Sequence, residues 1–283
     1  QDDGFKRLYD CCIEGEDALV EKSRDMGATW MCLILIMHQF QFVDLSTFLI
    51  GSYKAELVDK RGDPKCLFWK MDFWFNKLPP FMRPNYARKL FGFQNTDNQS
   101  TIDGESTTAE FGRGDRRTGI MLDEFAHVAG GAQIMASTRD AANFRILNST
   151  PNGASNEFYR IVKKNEIAKI RMHWTDHPRK SAGLYIGPGG EARSPWYDKQ
   201  CKRASSKQQI AQELDISYEG SGYQFFDLGM IDGLVKTDCM PQFLEADLIE
   251  DADENNRLVQ AKGGKFSLWF WPDGAGLPQR DRQ

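Results

Sequence analysis

Between Asp17 and Phe40 a short apolar run, a loop holding one glycine and a helix-length apolar segment follow one another. "DALVEK" (Asp17 to Lys22) is a short strand candidate. "TWMCLILIMHQF" (Thr29 to Phe40) is long enough for a helix and apolar nearly all round. A helix without a polar face must be covered on every side. The segment is therefore expected to be buried. The run Trp30 to Met37 is the most apolar of the chain. It is far shorter than the roughly 20 residues of a membrane span, so no membrane is expected.

The rest of the first half repeats the alternation. "STFLIGS" (Ser46 to Ser52) reads as a buried strand. "CLFWKMDFWFNKLP" (Cys66 to Pro79) reads as an aromatic helix stopped by Pro79 and Pro80. "KLFGFQN" (Lys89 to Asn95), "TGIMLDE" (Thr118 to Glu124) and "FRILNST" (Phe144 to Thr150) are further strand candidates. Strands alternating with helices predict an α/β fold with a mostly parallel central sheet flanked by helices.

The chain has 283 residues and a net charge of -4. That balance argues against a globally basic nucleic-acid coat but leaves local patches open. One such patch runs from Arg160 to Lys207, where twelve Lys and Arg stand against four Asp and Glu. It either tracks phosphates or packs against the acidic stretch Glu245 to Glu254, which itself reads as solvated. The six cysteines form no C-x-x-C pair, and reduced thiols in a cytoplasmic protein are expected. Gln1 is not an initiator methionine, so the chain reads as a fragment. His173 and His177 stand four apart, but Pro178 and the strand-like "IAKIRMHW" argue against a helical metal pair.

Three segments carry chemistry. In "TGIMLDEFAHV" an apolar run delivers Asp123 and Glu124 to a strand tip. Two acids there are costly unless they serve an ion or a water. The first suits Mg²⁺ bound to a nucleotide and the second can activate the attacking water. "EKSRDMGATW" (Glu21 to Trp30) lies between strand and apolar helix, the context of a phosphate-binding loop. Its N–H groups around Met26 to Thr29 would cradle phosphates and Thr29 would face Mg²⁺. Ala28 stands where the loop lysine is expected, but Lys22, from the first loop position, can reach back, and Arg24 adds a cation. In "NSTPNGASNEFY" a strand ends in Asn148, Ser149 and Thr150, placed to contact a terminal phosphate or the lytic water.

In this order and spacing the three segments resemble the ATPase of the large terminase subunit, the DNA-packaging motor of tailed bacteriophages. "GSYKAELVD" (Gly51 to Asp59) and "WTDHP" (Trp174 to Pro178) add to the likeness, which covers roughly residues 5–230. The resemblance implies a RecA-like P-loop core at 1–175, a lid or linker subdomain at 176–240, and an acidic stretch and linker at 241–283. It implies an ATP-binding set of Lys22, Ser23, Arg24, Asp25, Met26, Gly27, Ala28 and Thr29. Thr29 and Asp123 would hold Mg²⁺, Glu124 would be the catalytic carboxylate, and Asn148, Ser149 and Thr150 the coupling segment. An arginine acting on a neighbouring subunit's ATP is expected from "EFGRGDRRTGI", where Arg113, Arg116 and Arg117 qualify and glycines flank Arg113. The implied partners are double-stranded DNA, the portal protein and the small terminase subunit. A ring on the portal and a weakly active monomer in isolation follow, in the host cytoplasm and transiently on the procapsid. No glutamine-bearing adenine segment stands before Lys22. No acidic nuclease strands follow, so ATP hydrolysis without DNA cleavage is expected. Two other readings remain: a helicase-like translocase, and a nucleotide- or DNA-binding assembly module that does not hydrolyse ATP.

Overall fold

The computed structural model describes residues 2–108, 110–218, 244–250, 256–260, 262 and 266–268. The chain divides into two compact units, Gln1–Tyr223 and Gln224–Gln283.

The first unit is built on one eight-stranded sheet. Its strands are β1 (Ala18–Lys22), β2 (Thr47–Ser52), β3 (Tyr86–Lys89), β4 (Gly92–Asn95), β5 (Thr101–Ser106), β6 (Arg117–Asp123), β7 (Ala142–Ser149) and β8 (Ala168–Met172). They lie in the order β3-β4-β5-β2-β6-β7-β1-β8. From β5 to β8 all pairings are parallel; β3 and β4 add an antiparallel edge. The fold is therefore mixed α/β with a mostly parallel sheet, the RecA-like class expected from the sequence.

The helices are α1 (Asp2–Glu14), α2 (Ala28–Phe42), α3 (Ala55–Val58), α4 (Leu67–Lys77), α5 (Gly131–Thr138), α6 (Glu157–Lys164), α7 (Pro195–Arg203) and α8 (Lys207–Glu213). A parallel sheet must be covered on both faces, and its strands divide their side chains accordingly. Ala18 and Val20 of β1, Met121 of β6 and Ile146 of β7 join the larger core with α2 and α4. Their neighbours Leu19, Ile120, Leu122 and Leu147 join the second core with Phe125, Ile134 and Phe158. Helix α2 buries Met31, Leu33, Leu35, Ile36 and Phe40 on several sides at once. Each such side chain contributes about 1.5–3 kcal/mol of burial, an upper range for real unfolded chains.

One expectation needs correction. "KLFGFQN" is not one strand. It spans the end of β3, a two-residue turn at Leu90 and Phe91, and β4, with Lys89 paired to Gly92. Phe91 takes a φ of 55° and its N–H is held by Asp59, 2.8 Å away, so a side chain 32 residues upstream stabilises the turn. Part of the acidic stretch, Glu245 to Glu250, lies in a strand. In the second unit β11 (Leu244–Glu250), preceded in chain order by the short hairpin strands β9 (Tyr185–Ile186) and β10 (Ala192–Arg193) of the first unit, pairs antiparallel with β12 (Asn256–Gln260) and β13 (Phe266–Leu268). Residues 251–255 and the tail 269–283 lie outside the described residues.

The topology fixes where chemistry can occur. In open α/β sheets ligands sit beyond the carboxyl ends of the parallel strands. Here the register places Ser52 beside Asp123, Asp123 beside Asn148, Glu21 beside Ser149, and Lys22 beside Met172. All the carboxyl ends that carry the candidate residues thus fall on one rim.

Candidate active site

The loop from β1 to α2 turns through two left-handed residues, Asp25 (φ 57°) and Gly27 (φ 77°). The second position favours glycine, because a Cβ there is strained. Gly27 is also the N-cap of α2, and no side chain caps that helix. Its first-turn N–H groups are therefore left for a ligand, at the positive end of a 15-residue helix.

The outer side of the loop is tied to the segment that follows β8. The Ser23 N–H donates to Met172 O (2.9 Å), and the Ser23 hydroxyl donates to Leu214 O (2.6 Å) and accepts from Trp174 N–H (3.1 Å). The Arg24 N–H donates to Glu213 O (2.6 Å), and its guanidinium pairs with the Glu213 carboxylate. Lys180 is buried, and its amine donates to Arg24 O (2.6 Å) and Asp25 O (2.9 Å). The loop is thus held by residues far along the chain.

At the rim of the sheet the Asp123 carboxylate gathers two donors on one oxygen. Thr29 Oγ1 donates to Oδ1 at 3.0 Å and Asn148 Nδ2 at 2.6 Å. Asn148 Oδ1 is buried and has no hydrogen-bond partner among the described residues. A buried carboxylate and a hydroxyl that meet at the cleft wall form a hard-oxygen pair that fits a magnesium ion, and Asn148 holds the carboxylate from behind. Glu124 follows with a left-handed φ of 53°, unusual for a side chain of this size. That turn aims its carboxylate at the loop, where Oε1 lies 2.8 Å from the Lys22 amine. Ser149 sits beneath, its hydroxyl accepting from Ala126 N–H (3.1 Å) and lying 3.5 Å from Glu124 Oε2.

These groups surround one cleft of about 720 Å³. Lys22, Arg24, Asp25, Met26, Gly27, Ala28 and Thr29 line it from the loop, and Asp123, Glu124 and Thr150 from the strand ends. Ser23, Asn148 and Ser149 do not line it; all three are fully buried behind its wall. Lys22 is 6% exposed with its amine directed at Glu124, so the displaced lysine faces the cleft rather than solvent.

Arg113 is not brought to this cleft. It is exposed and pairs with Glu110 at 2.9 Å. Arg116 is exposed as well, whereas Arg117 pairs with Asp103 and Asp115 at the start of β6. Several cations of the Arg160 to Lys207 stretch also have partners within the first unit: Arg160 with Glu157, Arg171 with Glu21, and Arg193 with Asp198. His173 is engaged with Thr175, and no cluster of three metal-ligating side chains occurs among the described residues.

Sequence reasoning misses the opposite wall. Tyr53, Leu57, Lys65 and Lys70 line the cleft from the β2–α4 segment, and His127 and Glu213 complete the rim. Tyr53 lies in the segment "GSYKAELVD" that contributes to the resemblance, and its ring stands 5.5 Å from that of His127. Lys70 is hidden inside an aromatic helix whose pattern reports burial and nothing of the cleft.

Burial, reinforced by the neighbouring Glu124 charge, pushes Asp123 up to about 6. Its folded-state value thus lies above its unfolded one. The group favours folding below about pH 4, and that contribution is lost as pH rises through about 6. In metal-free buffer Asp123→Asn should therefore match wild type near pH 4 and exceed it by about 2–3 kcal/mol at pH 7. Thermal melts across that range check it; a pH-independent difference in Tm would refute the buried-carboxylate assignment.

No protein-family model and no curated protein matches the chain. Solved structures do. The large terminase of a thermophilic bacteriophage, solved in complex with ATP-γ-S, aligns with a TM-score of 0.52 at 10% identity, over 88% of this chain and 60% of that one. Another crystal form of the same thermophilic-phage protein gives 0.52 at 8% identity, over 75% and 52%. The HK97 bacteriophage large terminase gives 0.50 at 15% identity, over 84% and 54%. The chain has the large-terminase fold. It spans just over half the length of these terminases. At such identities the likeness to the terminases is one of fold, and the site's chemistry rests on its own residues. No helix among the described residues is long and apolar enough to cross a membrane.

Proposed function

We propose that the chain is an ATP-hydrolysing motor domain that drives double-stranded viral DNA into a procapsid. The observation that carries this reading is the meeting of Lys22, Thr29, Asp123 and Glu124 in one cleft at the carboxyl ends of β1 and β6, on a terminase fold. The first-turn N–H groups of α2 and the Lys22 amine would bind the β- and γ-phosphates. Thr29 and Asp123 would hold Mg²⁺, which neutralises charge on the phosphates when bound. Glu124 would take a proton from the attacking water, and its reach towards the phosphate position is fixed by the left-handed turn at its own Cα. Ser149, in hydrogen-bond distance of both Glu124 and the backbone at Ala126, would pass a change at the carboxylate to the strand end of β7. The expected partners are double-stranded DNA, the portal protein and the small terminase subunit. A ring of copies would bring Arg113, exposed in its glycine-flanked loop, to a neighbour's nucleotide. The ATP-γ-S complex of the thermophilic-phage terminase supports the choice of nucleotide.

The test is steady-state release of phosphate from ATP with Mg²⁺, with and without double-stranded DNA and portal. Slow, Mg²⁺-dependent turnover that rises on assembly is the expected result. Failure to bind ATP in calorimetry would overturn the reading.

A further inference from the structure

The cleft has a second wall whose charge the loop chemistry does not use. Four Lys and Arg side chains line it: Lys22, Arg24, Lys65 and Lys70. The two from the loop are each ion-paired, Lys22 with Glu124 and Arg24 with Glu213. The two from the start of α4 and the turn before it, Lys65 and Lys70, have no carboxylate within ion-pair distance among the described residues. Four carboxylates, those of Asp25, Asp123, Glu124 and Glu213, line the same space. A triphosphate entering this cleft therefore meets loop cations whose charge is already largely matched. The cations with unmatched charge stand opposite.

Lys70 is the better placed of the two. It is half-buried, and its amine is held by neutral acceptors alone, Lys65 O at 2.6 Å and Cys66 O at 3.3 Å. Those carbonyls fix the stem without cancelling the charge. Phe68 of the same helix packs on Gly104 of β5, the strand beside β2, and the last residue of β2, Ser52, is the register neighbour of Asp123. Asp123 acts on Lys70 electrostatically across the cleft, while burial holds the lysine below its usual pKa range. An ammonium that lines a cleft and is anchored on carbonyls is a preset phosphate contact.

We propose that Lys70, assisted by the exposed Lys65, contacts the terminal phosphate of the bound nucleotide from the wall facing the loop, and so distinguishes a nucleoside triphosphate from a diphosphate. The proposal rests on the reading of the cleft as a nucleotide site. In it the loop and Lys22 hold the β-phosphate common to both nucleotides and reach the terminal one from their side, and Lys70 adds from the facing wall a contact that only the triphosphate offers.

The experiment is calorimetric titration of wild type, Lys70→Met, Lys70→Gln, Lys70→Arg and Lys65→Met with Mg²⁺–ADP and Mg²⁺–ATP-γ-S, with thermal melts for each. Lys70→Gln keeps a donor for the helix carbonyls and loses the charge, so it guards against a Met variant that frays α4. The expected result is a loss of ATP-γ-S affinity of about tenfold or more in Lys70→Met and Lys70→Gln, as for a lost charge-assisted contact. ADP affinity should change less than about threefold, and Lys70→Arg should restore most of the ratio. An equal loss for both nucleotides would reduce Lys70 to a support for α4 and overturn the inference, as would an unchanged ratio in every variant. Wild type that binds neither nucleotide would overturn the functional reading itself, and the inference with it.

Discussion

Glu124→Gln should lower ATP turnover by about 10²- to 10⁴-fold, the range a positioned general base contributes, while nucleotide affinity stays within about threefold of wild type. The substitution keeps the size of the side chain and an oxygen that can accept from the Lys22 amine. It removes the group able to take a proton. The position is unforgiving for a reason visible in the backbone: Glu124 sits at a φ of 53°, directly after the last residue of β6. A non-glycine residue held there costs of order 1–3 kcal/mol, and such strain persists where the surroundings over-determine it. The surroundings here are Lys22 at 2.8 Å and the Ser149 hydroxyl at 3.5 Å. Phosphate release and calorimetric binding on the same preparations separate turnover from affinity. A variant keeping more than about a tenth of wild-type turnover would remove Glu124 from the role of base.

What the sequence discloses and conceals follows from how each element is stabilised. β1, β2, β6 and β7 are covered on both faces, so they read as near-continuous apolar runs. α2 reads as a helix because it is buried nearly all round. β5, "TIDGES", does not read as a strand. Only Ile102 and Gly104 are buried in it, and a Cβ at Gly104 would lie 2.5 Å from the Phe68 ring. An inward glycine does there what an apolar side chain does elsewhere, and pattern reading cannot see it. α6 also escapes, being eight residues long with Phe158 as its one buried residue. Its Asn156 cap, which accepts from Tyr159 N–H at 3.0 Å, is the available signal. In the cleft, the residues that follow one another at strand ends can be found by spacing. Lys65, Lys70 and Glu213 reach it, and Lys180 braces its loop, only through tertiary packing, and nothing local marks them.

The displaced lysine supplies the last large effect. Lys22→Ala should weaken Mg²⁺–ATP-γ-S by about 10²-fold, the loss expected when one side of a desolvated charged contact is truncated, and weaken Mg²⁺–ADP, which lacks the γ-phosphate, by less. It should also lower stability, because the partly exposed Glu124 carboxylate then keeps no cation at its tip. Position 28 offers a stricter test. Ala28 is the first residue of α2, 1% exposed, and lines the same cleft as Lys22. A lysine placed there starts from the other end of the loop, at the wall of the same cleft. Lys22→Ala/Ala28→Lys should therefore recover about tenfold or more of the lost affinity, in a variant shown by circular dichroism to be folded. Recovery means that the site requires an ammonium at one point in space and is indifferent to which end of the loop delivers it. A Lys22→Ala variant with wild-type affinity for both nucleotides would show instead that the amine beside Glu124 serves only to balance that carboxylate.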